Sequence, residues 1–169
     1  KTYHEKARKK LVNSTPDGTV DLYEVAFAVE EALPKDRVFV TGSGRFMFAF
    51  WNVISVPNPR SCVDGNGFSS IGIGEATAMG AARAAGDRPT LLVTGDGGFM
   101  LSGLSELATA VAEQLDLVVI VANDGSYGAE HIAMTMHNMD PDISLLPSRD
   151  FARIAEAFGC KGLTVTNSD

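Results

Sequence analysis

Three short runs of β-branched and other apolar residues stand out along the chain, at residues 38–41, 90–94 and 117–121. Each run is almost continuously apolar, which is typical of strands that are buried on both faces of a parallel sheet. A segment rich in Gly, Asp or Asn follows each run. The pattern therefore predicts parallel strands whose following loops meet at one edge of a sheet.

Apolar residues at helical spacing occupy the segments around these strands. Helices are predicted at residues 22–33, with Asp21 as the cap, and at residues 74–85, 104–114 and 150–158, with a further strand at residues 163–165. Alternating strands and helices indicate an α/β fold, a three-layer domain with a central parallel sheet flanked by helices.

Length and composition narrow the function further. The 169 residues fit one domain; we expect residues 1–18 to be a linker or leading helix and residues 19–169 to be the domain itself. The net charge is −7, with 21 acidic against 14 basic residues, which disfavours a nucleic-acid partner. No run reaches the ~18 apolar residues of a membrane span. Cys62 and Cys160 match no zinc pattern, so we expect reduced thiols in a cytoplasmic protein.

Two oxygen-rich segments follow neighbouring predicted strands. Gly95-Asp96-Gly97-Gly98 follows the second strand, and Asn123-Asp124-Gly125 follows the third. A carboxylate is a hard oxygen ligand, and the flanking glycines let the backbone come close to a phosphate. Mg²⁺ takes a few protein oxygens and fills its other positions with phosphate and water oxygens. The two segments therefore predict a site for Mg²⁺ and a phosphate group.

This combination resembles the thiamine-diphosphate-dependent enzymes of the acetolactate synthase, benzoylformate decarboxylase and pyruvate decarboxylase types. In that family a GDG motif is followed by a helix, a strand and an Asn-rich loop; here Gly95-Asp96-Gly97 is followed by the NDGSYG of residues 123–128. Residues 104–109, LSELAT, are also similar to the acetolactate synthase branch. The resemblance covers roughly residues 21–162. It implies a C-terminal diphosphate-binding domain with thiamine diphosphate and Mg²⁺ as cofactors.

The resemblance implies Asp96 as the first metal ligand and leaves two choices for the second. Counting back from the end of the NDGSYG loop gives Asp124, whereas counting forward from Asp96 gives Asn123. We favour Asp124, with the backbone carbonyl of Ser126 as a third ligand and Asn123 as the alternative. Further residues of the two loops are expected to contact the cofactor: Gly95, Gly97, Gly98, Tyr127 and Gly128.

Two upstream segments also match the family. In residues 67–74, GFSSIGIG, the resemblance places Ile71 where an apolar side chain supports the bent cofactor, and the Ser69 carbonyl where it would accept a hydrogen bond from the cofactor's amino group. Alternatively, Ile71 is a core residue that precedes a helix. After the first strand, the diphosphate is expected to contact Gly42, Ser43, Gly44 and Arg45. Many acetolactate synthases have Gln-His where this chain has Arg45-Phe46.

Glu130 is the candidate catalytic residue. It follows Asp124 by six residues, and similar pyruvate decarboxylases have a glutamate at this offset, whereas the synthases and benzoylformate decarboxylases have an apolar residue. A carboxyl group there could donate a proton after CO₂ has left; the alternative is a solvated helix position. We expect His131 and His137 to be ordinary helix residues rather than substrate ligands.

The resemblance implies a lyase or transferase that acts on a 2-oxo acid, a decarboxylase or an acetolactate synthase-like enzyme. The family's activating glutamate belongs to a pyrimidine-binding domain, and no segment here matches one. We therefore expect the chain to be inactive alone and to work with a pyrimidine-binding domain from the rest of its chain or another subunit, in a homodimer or homotetramer. We also expect it to lack the last helix and strand of its fold.

Two alternatives to that reading are a β-type subunit of a two-chain sulfopyruvate or phosphonopyruvate decarboxylase, and a cofactor-binding module without catalysis.

Overall fold

The computed structural model describes residue 7 and residues 10–68, 70–102 and 104–167, without the side chain of Asn66. Residues 1–6, 8 and 9 of the predicted leading segment, and Ser69, lie outside these ranges. One parallel sheet has the strand order β2-β1-β3-β4, with the strands β1 (Val38–Thr41), β2 (Cys62–Asp64), β3 (Thr90–Gly95) and β4 (Leu117–Ala122). The predicted strands at 38–41, 90–94 and 117–121 are confirmed.

Helices connect the strands and cover both faces of the sheet. They are α1 (Leu22–Ala32), α2 (Met47–Val53), α3 (Gly74–Ala85), α4 (Asp96–Ser102), α5 (Ser105–Ala112), α6 (Gly128–Met136) and α7 (Phe151–Ala157). The predicted cap of α1 is confirmed, because the Asp21 carboxylate accepts a hydrogen bond from the Tyr23 N–H at 2.7 Å. Every helix in the described ranges is too short or too polar to cross a lipid bilayer.

Side chains that alternate along the central strands build two cores. Residues such as Phe39, Leu91 and Val93 pack with α1 and α2 on one face. Val40 and Leu92 pack with α3 on the other face. Because β1 and β3 are covered on both faces, they are almost continuously apolar, and their polar side chains are the buried Thr41, Thr90 and Thr94. The three-layer α/β fold is therefore confirmed, and it fixes the carboxyl ends of β1 and β3 side by side.

Helix α4 was not predicted, and it changes the context of Asp96. The GDGG segment was expected to be a loop, with the next helix starting at residue 104; instead Asp96 is the first residue of α4, and α5 starts at Ser105. Two adjacent glycines disfavour a helix. Packing compensates: Phe99 is buried and its ring meets Phe151 edge-to-face, with centroids 5.5 Å apart. The short elements α2 and β2 were also missed.

The strand predicted at residues 163–165 is wrong. Those residues have no strand assignment, and the side chains of Leu163 and Val165 are 84% and 53% exposed. A strand requires a neighbour for its backbone hydrogen bonds. In the part of the chain that the structure describes, the sheet ends at β4, and no strand pairs with its outer edge.

Candidate cofactor and metal site

The loops that follow β1, β3 and β4 meet at the carboxyl edge of the sheet, as the sequence predicts. The Gly42 N–H, just after β1, donates to the Val93 carbonyl in β3 at 2.9 Å. A Cβ atom placed on Gly74, the first residue of α3, would lie only 3.4 Å from the Gly42 Cα. The start of α3 therefore packs directly on the predicted diphosphate loop.

Asp96 is a buried carboxylate at this edge, with 4% of its surface exposed. Burial raises the pKa of Asp96, and the nearby charge of Asp124 raises it further. The N–H groups of Gly97 and Gly125 oppose that change because they favour the ionised carboxylate. Two carboxylates that repel each other inside a partly desolvated edge form a donor set that a cation would stabilise.

Asp124 lies in a tight turn that holds one of its carboxylate oxygens, Oδ1, by hydrogen bonds. Oδ1 accepts hydrogen bonds from the Ser126 N–H at 3.1 Å and the Ser126 hydroxyl at 3.0 Å. Oδ2 lies 3.9 Å from the Arg45 guanidinium, and both side chains are about half exposed, at 52% and 53%. The neighbouring Asn123 directs its Oδ1 to the Gly125 N–H at 3.3 Å. Both side chains therefore accept a hydrogen bond from the backbone N–H two residues later, and Asp124 also lies near a cation.

The NDGSYG segment of residues 123–128, called the metal loop because it is the predicted metal site, is held from outside by the segment after α6. The Tyr127 N–H donates to the Ser144 carbonyl at 2.9 Å, and the Leu146 N–H donates to the Gly125 carbonyl at 2.8 Å. The His131 Nδ1 lies 2.9 Å from the Ser144 hydroxyl. Because that hydroxyl donates to the Pro141 carbonyl, Nδ1 must be the donor to it. This hydrogen bond joins α6 to the segment that follows it.

Two glycines of the motif make room for neighbouring side chains. A Cβ on Gly97 would lie 2.6 Å from the Tyr127 ring, so only glycine lets this ring pack against the start of α4. A Cβ on Gly128 would lie 2.5 Å from the Asp124 Oδ2. Glycine at position 97 therefore lets the NDGSYG loop pack against the GDGG segment, and glycine at position 128 leaves room for the Asp124 carboxylate.

The predicted Ile71 loop lies beside the GDGG segment. The Ile71 Cβ is 4.0 Å from the position of a Cβ on Gly98, and the Ile71 side chain is 37% exposed. Ile71 is thus accessible at the site rather than sealed in the core. The Ser69 carbonyl, predicted to contact the cofactor, lies outside the described residues.

The diphosphate loop contains a substitution whose effect is visible. Phe46, which stands where many acetolactate synthases have histidine, is 7% exposed. Its ring lies 2.5 Å from the position of a Cβ on Gly44 and 3.1 Å from that of a Cβ on Gly95. Phe46 thus joins the ends of β1 and β3 from the core side, and Arg45 points towards the metal loop.

Glu130 is in the first turn of α6, where its side chain is exposed. Within the described ranges, no hydrogen bond or ion pair joins it to Asp96, Asp124 or Arg45. His137 is also exposed, at the end of α6. The structure therefore brings together the predicted metal, diphosphate and Ile71 residues, and leaves Glu130 at the periphery.

Sequence reasoning missed a buried acid next to the site. Glu75, in the first turn of α3, is 5% exposed. The available signal was its position in GEATAMGAARAA, an otherwise small and apolar helix with a single other charge. A charge in a helix is usually solvated, and the sequence alone gives no reason to place this one inside.

The residues at this edge fit Mg²⁺ and a diphosphate. No cluster of three or more His, Cys, Asp or Glu side chains suited to a metal occurs in the described ranges. The carboxylates of Asp96 and Asp124 offer hard oxygens, and a cation between two mutually repelling carboxylates would relieve their repulsion. A metal held by so few protein groups takes its remaining ligands from phosphate and water, which is how Mg²⁺ binds.

Comparisons with known proteins agree with this chemistry. The family model described as "Thiamine pyrophosphate enzyme, C-terminal TPP binding domain" matches residues 42–169. The chain is 33% identical over 135 residues to a probable 2-ketoarginine decarboxylase of Pseudomonas aeruginosa, covering 78% of this chain and 24% of that protein. It is 29% identical over 153 residues to an acetolactate synthase of Mycobacterium bovis, covering 87% of this chain and 25% of the synthase. The chain thus spans about a quarter of the length of these curated relatives.

A solved structure gives the same result. A thiamine diphosphate-dependent 4-hydroxybenzoylformate decarboxylase of Rhodococcus jostii RHA1 superimposes with a TM-score of 0.81 at 26% identity, covering 93% of this chain and 29% of that one. Enzymes of this family use thiamine diphosphate, normally with Mg²⁺, which confirms the predicted cofactors. The chain therefore belongs to the thiamine pyrophosphate enzymes and has the fold of their C-terminal cofactor-binding domain, of the type found in decarboxylases and acetolactate synthases.

Proposed function

We propose that Asp96, Asp124 and the Ser126 carbonyl hold Mg²⁺ and that this metal anchors the diphosphate of thiamine diphosphate. The observation that carries the proposal is the placement of the buried Asp96 and the turn-held Asp124 at adjacent strand ends, close enough for their charges to interact. Gly97, in the first turn of α4, packs against the Tyr127 ring, and this contact keeps the GDGG and NDGSYG segments together.

Asp124 is a better second ligand than Asn123. Its charge acts on Asp96, and its Oδ2 faces a cation, Arg45, across 3.9 Å. Each of the two side chains accepts a hydrogen bond from the backbone N–H two residues later, but this bond uses Oδ1 of Asp124 and not its second oxygen, Oδ2. A carboxylate at this position also offers Mg²⁺ more charge than the family's usual amide.

For the diphosphate we propose the loop of Gly42, Ser43, Gly44 and Arg45, together with Gly95, Gly97, Gly98, Tyr127 and Gly128 around the metal. Arg45 supplies a positive charge and charge-assisted hydrogen bonds. Ile71, exposed beside Gly98, supports the cofactor ring system, and Ser69 accepts from its amino group.

For the whole protein we propose the decarboxylation of a 2-oxo acid, with or without transfer to a second carbonyl compound. Bound thiamine diphosphate supplies the electron sink for such chemistry. The residues of this chain position it, neutralise its phosphates and exclude water. The named relatives include a 2-ketoarginine decarboxylase and a 4-hydroxybenzoylformate decarboxylase, which supports a 2-oxo acid of this general kind.

A pyrimidine-binding domain must complete the site, from the same chain or from a second copy in a cytoplasmic homodimer or homotetramer. Large apolar side chains near the carboxyl edge support such a cover: Phe48, Trp51 and Leu101 are 57%, 41% and 56% exposed. The size of the purified full-length protein, measured by light scattering, would establish the assembly.

The metal site is tested by titrating the full-length protein with thiamine diphosphate in the presence and absence of Mg²⁺. Isothermal titration calorimetry of the full-length protein gives both affinities and needs no reporter residue. Asp96→Ala and Asp124→Ala should abolish the Mg²⁺-dependent part of the affinity, whereas Asn123→Ala should retain most of it. Loss in Asn123→Ala with retention in Asp124→Ala would reassign the second ligand; retention in Asp96→Ala would exclude the site.

Glu130 is proposed as a proton donor to the reacting carbon once the covering domain is in place. Glu130→Gln should slow turnover by about 10²-fold, the scale of a lost general acid, and should leave cofactor affinity unchanged. Glu156→Gln, an exposed acid on α7, is the matched control. Full turnover in Glu130→Gln would make Glu130 a surface residue and would favour the synthase-like reaction.

A further inference from the structure

The loop that carries Ile71 runs along one side of helix α4. A Cβ placed on Gly98, in the first turn of α4, would lie 3.7 Å from the Gly72 N and 4.0 Å from the Ile71 Cβ. A Cβ placed on Gly72 would lie 2.9 Å from the Leu101 Cβ and 3.4 Å from the Ser102 N. Because residues three apart in a helix lie on the same side, Gly98 and Leu101 form one continuous surface under the Ile71–Gly72 pair.

Gly72 is the point where this loop comes closest to α4. A side chain at position 72 would lie nearer to the Leu101 Cβ, and to the Leu101 backbone carbon at 3.3 Å, than the ~3.5–4.0 Å of a normal carbon contact. Neither of these atoms can rotate away, because both are fixed by the helix. The φ of Gly72 is +82°, which glycine adopts without strain. Position 72 therefore requires glycine for its contact and for its conformation.

The next two residues hold the loop from other directions. A Cβ on Gly65, which follows β2, would lie 2.8 Å from the Ile73 Cδ1. Gly74 packs on Gly42, as described above, and Ile73 and Gly74 are the cap and the first residue of α3. Residues 71–74 thus contact α4, the end of β2 and the loop after β1, and these contacts together set the position of Ile71.

Helix α4 also carries the proposed metal ligand. Asp96 is its first residue, and Gly98 and Leu101 follow within the same seven-residue element. A helix rises about 1.5 Å per residue and has little freedom to stretch, so Asp96 and the surface under Ile71 are held at a fixed separation. The Ile71 side chain is 37% exposed and remains accessible to a ligand.

We propose that Gly72 is a positioning residue whose contact with Leu101 sets the distance between the Ile71 side chain and the metal end of the site. Helix α4 then acts as a spacer between the diphosphate and the ring system of thiamine diphosphate. The proposal rests on the functions proposed above for Asp96 and Ile71. A side chain at position 72 must push the loop away from α4 and displace Ile71, whereas Asp96 keeps its place.

Two ligands distinguish the two ends of the site in the full-length protein. Thiamine diphosphate reaches both ends, whereas pyrophosphate occupies only the diphosphate end, and calorimetry in the presence of Mg²⁺ measures both affinities. Gly72→Ala should weaken thiamine diphosphate binding by about tenfold, or ~1.4 kcal/mol, which is within the range for an overpacked contact. The affinity for pyrophosphate should stay within about twofold of the wild type.

Gly18→Ala is the matched control for backbone strain. Gly18 has a φ of +79°, close to that of Gly72, but nothing lies within 4 Å of a Cβ placed there. It is in the turn before α1, outside the segments assigned to the cofactor. This variant should bind both ligands within about twofold of the wild type, so that a loss in Gly72→Ala reports the contact with α4.

A double variant tests whether Gly72 acts through Ile71. Ile71→Ala should weaken thiamine diphosphate binding, and adding Gly72→Ala should weaken it by less than about a further twofold, because no side chain is left to displace. If Gly72→Ala does not fold, Leu101→Ile takes its place. It adds a methyl group at the Cβ that lies against Gly72, on a side chain that is 56% exposed, and should weaken thiamine diphosphate binding selectively by about threefold.

Wild-type affinity for thiamine diphosphate in Gly72→Ala and Leu101→Ile would overturn the proposal, and so would additive losses in the double variant. Equal losses for thiamine diphosphate and pyrophosphate would mean that Gly72 supports the whole edge rather than the position of Ile71, which also overturns it. If the wild type binds neither ligand in a Mg²⁺-dependent manner, or if Ile71→Ala binds like the wild type, the proposed function fails first and this role for Gly72 fails with it.

Discussion

The two ends of the sheet treat buried acids in opposite ways. At the amino end, Glu30 is 1% exposed and bonds to Arg37, Lys35 and Ser55. Burial acts to raise the pKa of Glu30, but these hydrogen bonds and the Arg37 charge outweigh it and lower the pKa. At the carboxyl end, Asp96 and Glu75 are equally hidden, yet the pKa of each is raised.

The amino edge of the sheet stabilises the fold by pairing its buried acid with a cation, whereas the carboxyl edge is the proposed binding site. Arg37, which directly precedes β1, is completely buried and also donates to the carbonyls of Pro34 at 2.8 Å and Ser55 at 3.1 Å. It thereby ties the end of α1 to the segment after α2. Among the described residues, neither Asp96 nor Glu75 has such a buried cation, and the metal site proposed here requires acids whose charge is not already compensated.

The largest change in stability is expected at the amino edge of the sheet, where Arg37 compensates the Glu30 carboxylate. Arg37→Met should destabilise the chain by about 3–5 kcal/mol, because the exposed Lys35 would then be the remaining cationic partner of the buried Glu30 carboxylate. Urea unfolding followed by circular dichroism measures this. Arg153→Met, which breaks the exposed pair with Asp150, is the control and should change stability by less than about 0.5 kcal/mol. Similar values for the two variants would show that the Glu30–Arg37 pair adds nothing.

The pH dependence of Glu30 should be opposite in sign to that of Glu75. Since the folded-state pKa of Glu30 lies below its ordinary value of 4.5, its contribution is present above that value and is lost as pH falls through the folded pKa. Glu30→Gln should lower stability at neutral pH by about 1–3 kcal/mol, the penalty for disrupting hydrogen bonds to a charged group, and should flatten the acid limb. Thermal unfolding between pH 3 and pH 7, in steps of about one unit through this transition, would show it; an unchanged acid limb would contradict the assignment.

The carboxyl edge should respond in the opposite direction when its charge is removed. Asp96→Asn is expected to leave stability unchanged or to raise it by up to about 1 kcal/mol at neutral pH, because it removes a buried charge and its repulsion by Asp124. The same variant should lose Mg²⁺-dependent cofactor binding. Urea unfolding of wild type and variant without Mg²⁺ gives the comparison. A loss of more than about 1 kcal/mol would mean that the N–H groups of Gly97 and Gly125 require the charged form.

The contrast also explains what the sequence could predict. Almost continuously apolar runs identified β1, β3 and β4, because a strand of a parallel sheet has few positions for charged side chains. The GDGG and NDGSYG segments then located the site, since the loops after parallel strands must share an edge. Helix α4 was not predicted because Gly97 and Gly98 disfavour a helix locally, whereas tertiary packing stabilises it.

Other features depend on direction and burial, which spacing does not encode. Counting residues gave Asp124 from one end of the motif and Asn123 from the other, and we favoured Asp124; spacing alone does not show where each side chain points. Glu75 could not be distinguished from a solvated helix residue, and Arg37 could not be distinguished from a surface cation. The residues at 163–165 have the composition of a strand, but a strand also needs a neighbour, and no local pattern supplies that information.

The smallest change in stability is expected for Arg45→Met, which removes the only cation recorded near Asp124 among the described residues. The two groups are 3.9 Å apart and about half exposed, so stability should change by less than about 0.5 kcal/mol.

Ligand binding should nevertheless change in Arg45→Met, and with opposite signs for the two ligands. Mg²⁺ alone should bind slightly more tightly, by about twofold, because the competing guanidinium is gone. Thiamine diphosphate with Mg²⁺ should bind about tenfold more weakly, because the diphosphate loses a charge-assisted hydrogen bond. Isothermal titration calorimetry of the full-length protein measures both affinities, and raising the salt concentration should shrink both differences because the groups are exposed. Arg153→Met is again the control. If both ligands bind more weakly in Arg45→Met, Arg45 supports the fold of the loop; if neither affinity changes, the guanidinium has no part in the site.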